Sequence, residues 1–218
     1  MRIHELIIGT IQGEGFNTGM PCDFVRLHGC NVGCWFCDTG YSKENSNGTK
    51  IPFKELSFTQ ISRQLKSYNI VISGGEPMLA KHLPSFCNHL IKRGKRVFIE
   101  TSGTAWKELP QEVWITLSPK DNVSKLKTKK EAWDCANEVK FIVSCKSPME
   151  SLKGYEDIIA NLHQYIYFQP EASEYFSLQP PPHLAPSFTP NISNLVNLVH
   201  RIPNSKISLQ THKILNLP

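Results

Sequence analysis

The chain has 218 residues, 40% of them hydrophobic and 20% charged, with 24 Lys+Arg against 19 Asp+Glu for a net charge of +5. That composition is globular and sets disorder aside, the length suits one domain over residues 1–218, and no apolar run reaches the ~18 residues of a membrane span. The positive surplus is too small for a dedicated nucleic-acid binder and suits a small anionic substrate, while Met1-Arg2-Ile3-His4-Glu5 lacks the apolar core of a signal peptide and predicts a cytoplasmic protein.

Along the chain, Asp23 to His28 reads as a strand, and Phe58, Ile61, Leu65 and Tyr68 recur at helical spacing. Ile70 to Ser73 is a short β-branched strand that ends in Gly74-Gly75. Leu79, Leu83, Phe86 and Leu90 mark a helix closed by Gly94. Strands follow at Arg96–Glu100, Val113–Leu117 and Glu138–Val143. Leu152, Tyr155, Ile159 and Leu162 form a helical stripe before the strand Tyr165–Phe168. Thr189-Pro190 has the form of an N-cap and first-turn proline ahead of Ile192, Leu195, Val196 and Val199, and the strand Lys206–Leu209 closes the series.

Apolar strands alternating with amphipathic helices predict an α/β fold whose largely parallel sheet is covered by helices. With about six central parallel strands, the chain falls short of the ~250 residues of a closed eight-fold barrel, so a partial, open TIM-like barrel is expected. The polar stretch Ser42–Lys50 and the proline-rich Glu171–Ser187 read as surface loops able to cover a site. Polar or glycine-rich signals stand at the strand ends: Ser73-Gly-Gly-Glu-Pro77, Glu100-Thr-Ser-Gly103, Ser118-Pro-Lys120, Gln169-Pro170 and Gln210-Thr-His-Lys213. Ligands of parallel α/β folds gather outside the carboxyl ends of the strands, so together these predict a site there.

The cysteines are Cys22, Cys30, Cys34, Cys37, Cys87, Cys135 and Cys145, an odd number unsuited to a disulfide framework in a reducing compartment. Cys87 and Cys145 fall on apolar patterns and are expected in the core, and Cys22 and Cys135 also read as structural. Cys30, Cys34 and Cys37 crowd into eight residues. Three close thiolates fit a 4Fe–4S cluster with one iron left open to a substrate or cofactor. Zinc is the competing metal, with Cys22 or His28 as fourth ligand. Thiol redox through Cys34 and Cys37 leaves Cys30 without a role. Gly74 and Gly75 allow close backbone approach to a ligand, Glu76 can support a local hydrogen-bond network, and Pro77 can start a helix.

The segment Gly29-Cys-Asn-Val-Gly-Cys-Trp-Phe-Cys37, followed about forty residues later by Ser73-Gly-Gly-Glu-Pro77, resembles the radical S-adenosylmethionine (SAM) superfamily. Ile11-Gln-Gly-Glu-Gly15, Gly19-Met-Pro21, Phe24-Val-Arg26, Cys37-Asp-Thr39 and the stretch from Gln210 to Pro218 resemble, within it, the 7-carboxy-7-deazaguanine synthase family, over nearly the whole chain. The resemblance implies a truncated and modified radical SAM core. It implies a carbon–nitrogen lyase that converts 6-carboxy-5,6,7,8-tetrahydropterin to 7-carboxy-7-deazaguanine with loss of ammonia, on the route to queuosine. It implies a mechanism in which one electron entering the cluster cleaves SAM and the resulting radical takes hydrogen from C6 of the substrate, which rearranges. The implied cofactors are a 4Fe–4S cluster, SAM and Mg2+. The implied partners are a second copy in a homodimer and an electron donor such as flavodoxin or ferredoxin, with neither nucleic acid nor membrane.

The resemblance also implies roles for particular residues. Cys30, Cys34 and Cys37 hold the cluster. Phe36, Cys37, Asp38, Gly75, Ser118, Pro119 and Lys120 lie along SAM, and Thr39 coordinates Mg2+. Ile11, Gln12, Gly13, Arg26, Ser73 and the carboxylate of Pro218 bind the pterin, Arg26 through its carboxylate. Glu14, Glu100, Gln169 and His212 are expected in the pocket without individual roles. Each reading has a plain alternative: Arg26 as an ion-paired surface residue, Thr39 as a turn residue, His212 as a structural histidine. The run Lys125, Lys127, Lys129 and Lys130 reads as a solvated face. Two further readings remain for the whole chain, an activase that makes a glycyl radical on a partner enzyme and a zinc-binding module without catalysis.

Overall fold

A computed structural model describes residues 1–41, 51–171 and 190–218. The strands are β1 (Arg2–Ile11), β2 (Pro21–Leu27), β3 (Lys54–Glu55), β4 (Asn69–Gly74), β5 (Arg96–Thr101), β6 (Trp114–Leu117), β7 (Glu138–Val143), β8 (Tyr165–Pro170) and β9 (Ser205–Ile207). The helices are α1 (Phe58–Ser62), α2 (Leu83–Ile91), α3 (Lys130–Cys135), α4 (Pro148–Ser151), α5 (Glu156–Ala160), α6 (Pro190–Arg201) and α7 (Thr211–Ile214).

All nine strands belong to one open sheet, in the order β3-β1-β2-β4-β5-β6-β7-β8-β9. From β2 to β9 every neighbouring pair is parallel, which makes seven parallel strands where the sequence pattern suggests about six. β1 runs antiparallel to β2 and carries β3 on its outer edge. The sequence gives no alternation for β1 because its register shifts between Ile3 and Glu5 and again between Ile7 and Thr10, so inward residues fall out of period two. Gly9, at φ 74°, permits the second irregularity. Asp23 fastens this corner by accepting from Gly9 N (2.8 Å), Lys66 N (2.6 Å) and Ser67 N (2.8 Å).

Helices cover the outer face of the sheet. Ile61, Leu83, Phe86 and Leu90 pack against Val25, Ile70, Ile72, Val97 and Ile99 in one apolar cluster. Ala132, Leu152, Tyr155, Leu195 and Leu198 pack against Val139, Phe141, Ile166 and Phe168 in a second. The expected helix through Phe58 to Tyr68 starts with a capping box, Ser57 and Gln60, but ends at Ser62; Leu65 is buried from the turn that follows. The stripe from Leu152 to Leu162 is not one helix, because Gly154 at φ 85° separates α4 from α5. Cys22, Cys87 and Cys145 are buried as expected, whereas Cys135 is exposed at the end of α3 and belongs to no core. The Thr189 cap, the loop 42–50 and residues 172–187 lie outside the described residues. Among the described residues no helix is long and apolar enough to cross a membrane.

Candidate active site

The open barrel encloses a cavity of about 270 Å³. Its rim comes from the carboxyl ends of the parallel strands: Ser73 to Glu76 after β4, Glu100 to Ser102 at β5, Ser118 and Lys120 after β6, and Gln169 to Glu171 at β8. Its floor has another origin. Because β1 runs against the other strands, the loop 12–20 reaches their amino ends, where Ile11 pairs with Pro21. Phe16 stacks there on Trp114 (5.2 Å between centroids) and lies tilted against Tyr165 (4.5 Å), the residues that open β6 and β8. A barrel closed from below by its own loop suits a small molecule entering from the rim.

Cys30, Cys34 and Cys37 sit half-buried on the loop after β2 and all line the cavity. The loop is fixed at both ends. Gly29 N donates to the hydroxyl of the fully buried Tyr41 (2.8 Å), and Glu76 N donates to Gly29 O (2.8 Å). Gly74 and Gly75 line the cavity and also approach the chain itself. A Cβ on Gly74 would stand 2.2 Å from Leu27 O, and one on Gly75 1.9 Å from Gly29 O. Their lack of side chains lets the cysteine loop lie directly on the end of β4. Glu76, 2% exposed, accepts from Met78 N (3.0 Å), Thr101 Oγ1 (2.6 Å), Ser102 N (2.8 Å) and Ser102 Oγ. Pro77 then opens a short 3-10 turn.

These residues fit an iron–sulfur cluster better than a single ion. None of the three thiols is in a disulfide, and Val32 N points at Cys30 Sγ (3.4 Å), the kind of donor that stabilises cluster sulfur. Among the described residues no group of three His, Cys, Asp or Glu is gathered tightly enough for one metal ion. The zinc reading also loses its fourth ligand: Cys22 is buried among Val71 and Phe98, His28 packs against Tyr41 and Phe53, and neither lines the cavity. Burial pushes the Cys34 thiol up to about 11 against the pull of nearby Lys120, so ligation there requires a strongly positive centre. Burial likewise lowers Lys120 to about 8; its ammonium donates to Ser118 O (2.7 Å) and Ser118 Oγ (2.5 Å). Thr39 faces the cavity as a neutral oxygen, which fits Mg2+ only if substrate and water complete its shell.

The cavity also holds a charge network around one buried lysine. Lys140, on β7 and 5% exposed, pairs with Glu14 and with Glu100 (3.1 Å). Gln210 Nε2 donates to Glu14 (2.7 Å), and Gln12 Nε2 donates to Glu100 (2.9 Å). The two carboxyls are driven apart. Burial raises Glu14, but Lys140 and Gln210 outweigh it and hold the group at about 2. Burial dominates at Glu100, with Lys140 opposing and the negative charges of Glu14 and Glu138 adding, so its carboxyl sits above the ordinary range. Burial disfavours the Lys140 ammonium, yet Glu100 and Glu14 keep it firmly protonated. Glu138 anchors the floor by accepting from Phe16 N (2.7 Å) and Thr116 Oγ1 (2.6 Å), while Ser208 Oγ accepts from Gly15 N (2.9 Å).

Of the residues expected at the site, Ile11, Gln12, Arg26, Phe36, Asp38, Thr39, Ser73, Gly75, Ser118, Lys120 and Pro218 line this cavity with the three cysteines, as do Glu14, Glu100, Gln169 and His212. Gly13 and Pro119 do not. Gly13 lies under the His212 ring, where a Cβ would meet Nδ1 at 1.9 Å, and its carbonyl accepts from Thr211 N (2.9 Å). Arg26 is both things expected of it: it faces the cavity and pairs with Glu5 on β1 (3.0 Å). Asp38 is engaged by Gln210 (3.2 Å) and Lys213 (2.6 Å), and a main-chain oxygen of Pro218 accepts from Thr10 Oγ1 (3.2 Å). Lys140, Glu138 and Ser208 were not foreseen. The available signal was Glu138 and Lys140 two apart in an apolar strand, hence on one face of it.

The Radical SAM superfamily model matches residues 24–120. The 7-carboxy-7-deazaguanine synthase of Buchnera aphidicola subsp. Schizaphis graminum is 33% identical over 97% of this chain and 96% of its own length. The enzyme of that name from Bacteroides thetaiotaomicron is 31% identical over 100% and 99%. Among solved structures, the crystal structure of QueE from Escherichia coli superposes with a TM-score of 0.74 at 26% identity, covering 96% of this chain and 93% of that one.

Proposed function

The chain belongs to the 7-carboxy-7-deazaguanine synthase family of the radical SAM superfamily, and on that footing we propose how its own cavity serves the reaction. The reaction is the ring contraction of 6-carboxy-5,6,7,8-tetrahydropterin to 7-carboxy-7-deazaguanine with release of ammonia, which makes the chain a lyase. The observation that carries the reading is that three half-buried thiols and a Glu–Lys–Glu network centred on buried Lys140 line one small cavity.

Cys30, Cys34 and Cys37 would hold the 4Fe–4S cluster. Phe36, Asp38, Gly75, Ser118 and Lys120 would flank SAM, and Thr39 would offer Mg2+ an oxygen. When bound, cluster and SAM together supply the carbon-centred radical that starts the reaction. The chain's residues do the rest. Arg26 takes the substrate carboxylate with its planar guanidinium, held in place by Glu5. Ile11 and Gln12, Ser73 and the Pro218 main-chain oxygen present acceptors and donors to the pterin edge. Glu14 stays ionised and so accepts hydrogen bonds only, whereas burial raises the Glu100 carboxyl above the ordinary range and makes it the readier of the two to hold a proton. A homodimer and a flavodoxin or ferredoxin as electron donor complete the proposal, supported by the family resemblance.

The test is an anaerobic assay of iron-reconstituted protein with a reductant, SAM and the carboxypterin. The expected product is 7-carboxy-7-deazaguanine, identified by mass. Iron-loaded protein that cleaves SAM yet leaves the carboxypterin unchanged would refute this function.

A further inference from the structure

The proposed chemistry needs an electron delivered to the cysteine loop, and the loop carries an exposed feature that the cavity does not use. Trp35 stands between Cys34 and the Phe36–Cys37 pair and is 63% exposed, whereas the residues on either side line the cavity. A large aromatic side chain open to solvent beside a redox centre is an ordinary component of a docking surface.

A second feature is tied to the same loop through one turn. The segment from Lys120 to Lys130 folds back onto the turn after β5: Lys129 N donates to Gly103 O (2.8 Å) and Thr128 Oγ1 to Ser102 O (3.5 Å). The same turn holds the cysteine loop, since Thr104 Oγ1 donates to Asn31 Oδ1 (3.1 Å). Residues 102–104 thus hold both the basic segment and the cysteine loop. On that segment Lys125, Lys127 and Lys129 are exposed, and Leu126 between them is 39% exposed. Lys130 is paired with Asp134, but among the described residues Lys125, Lys127 and Lys129 make no ion pair. Thr128, between them, is turned inward to Asp121 (2.5 Å), which fixes the backbone that presents the lysines.

We propose that Trp35, Leu126 and the ammonium groups of Lys125, Lys127 and Lys129 form the landing surface for an acidic one-electron carrier protein bearing a flavin or an iron–sulfur centre. The inference rests on the radical SAM reading of the cavity and locates the surface on which its electron donor docks. Unpaired positive charge around an apolar centre steers a negatively charged partner and fixes its orientation, and carriers of this kind bind through small, short-lived interfaces. The transfer moves one electron: the reduced carrier loses it, the cluster held by the three thiols gains it, and no bond or proton changes on this chain.

A purified, strongly acidic flavodoxin serves as the probe. Its binding to the iron-loaded protein is measured by calorimetry at low and at high salt, for the wild type and for the triple variant K125E/K127E/K129E. Wild-type binding is expected to weaken with salt, and the variant to bind at least about tenfold more weakly at low salt. Turnover driven by reduced flavodoxin should fall in parallel, while turnover driven by dithionite, which needs no docking, should not change. The neutral variant K125Q/K127Q/K129Q should fall between the two. Equal flavodoxin affinity in wild type and triple variant overturns the proposal. If the wild type makes no product even with dithionite, the functional reading fails instead, and the binding titration still decides the docking surface.

Discussion

Lys140→Met removes the buried cation between two half-buried carboxyls and keeps most of the side chain's apolar length. Glu14 is held at about 2 against an ordinary 4.5. Those two values differ by the equivalent of about 3 kcal/mol, at ~1.4 kcal/mol per pH unit. The same size follows independently from the cost of stripping one partner from a buried ion pair, ~3–5 kcal/mol. The variant is therefore expected to lose about 3 kcal/mol of folding stability at pH 7. The sign of the pH dependence follows from the depression at Glu14. Its contribution is complete above the unfolded value of 4.5 and is lost as pH falls from there toward 2, so the gap between wild type and variant should close across that window. Urea titrations of both proteins from pH 7 down to about pH 3 measure it. A gap below about 1 kcal/mol at pH 7, or one that stays constant as the pH falls, would refute the reasoning that Lys140 sets the charge of the cavity floor.

Replacing Cys30, Cys34 or Cys37 with Ala should abolish iron retention and SAM cleavage while the circular dichroism spectrum stays native, because none of the three belongs to an apolar core cluster. Thr39→Ala should flatten the response of turnover to Mg2+; equal Mg2+ titrations in both proteins would remove Thr39 from the site. Gly75→Ala would place a methyl 1.9 Å from Gly29 O, where only backbone is available to yield, so a loss of about 1–3 kcal/mol and a lower iron content after reconstitution are expected. Glu138→Gln weakens the hold on Phe16 N and should raise the Michaelis constant for substrate about tenfold, with substrate-free SAM cleavage unchanged; an unaltered constant would make Glu138 purely structural.

The parallel strands and their loaded ends were legible because each obeys one local rule: a short β-branched run, then glycine or a polar residue, as at Ile70 to Gly75. The cysteine loop was legible because its spacing is chemical rather than structural. β1 was not, since two register shifts break its alternation, and a period of two is the only signal a half-exposed strand gives. The long stripe from Leu152 was misread because Leu152, Tyr155 and Ile159 are all buried at helical spacing, while a left-handed Gly154 turns the chain between them. The role given to Gly74 and Gly75 was incomplete for a related reason. Sequence shows that a side chain is missing, but not which of a ligand or a neighbouring segment fills its place. Lys140 is the most instructive omission: its partners Glu14 and Glu100 are 126 and 40 residues away in sequence, and only the fold brings them together.

An open sheet raises a problem that the same residues answer. Among the described residues no ladder joins β9 to the far edge of the sheet, so the strand pairing there does not bring the last parallel strand back toward β1. Hydrogen bonds through the loop 12–20 do so instead. Gly13 O accepts from Thr211 N (2.9 Å), Gly15 N donates to Ser208 Oγ (2.9 Å), and Phe16 N donates to Glu138 (2.7 Å). Ser208 passes the link on to Gln169 (3.0 Å), and Gln210 reaches both Glu14 (2.7 Å) and Asp38 (3.2 Å). The seam is thus built from side chains that also line the cavity or lie next to ones that do. A substrate that engages Gln12, Glu14 and His212 would draw on the groups that hold the barrel closed, and its binding energy would tighten that closure. The polar seam costs stability that an apolar core would not, and what it supplies in return is a cavity whose walls present hydrogen-bonding groups to a polar ligand.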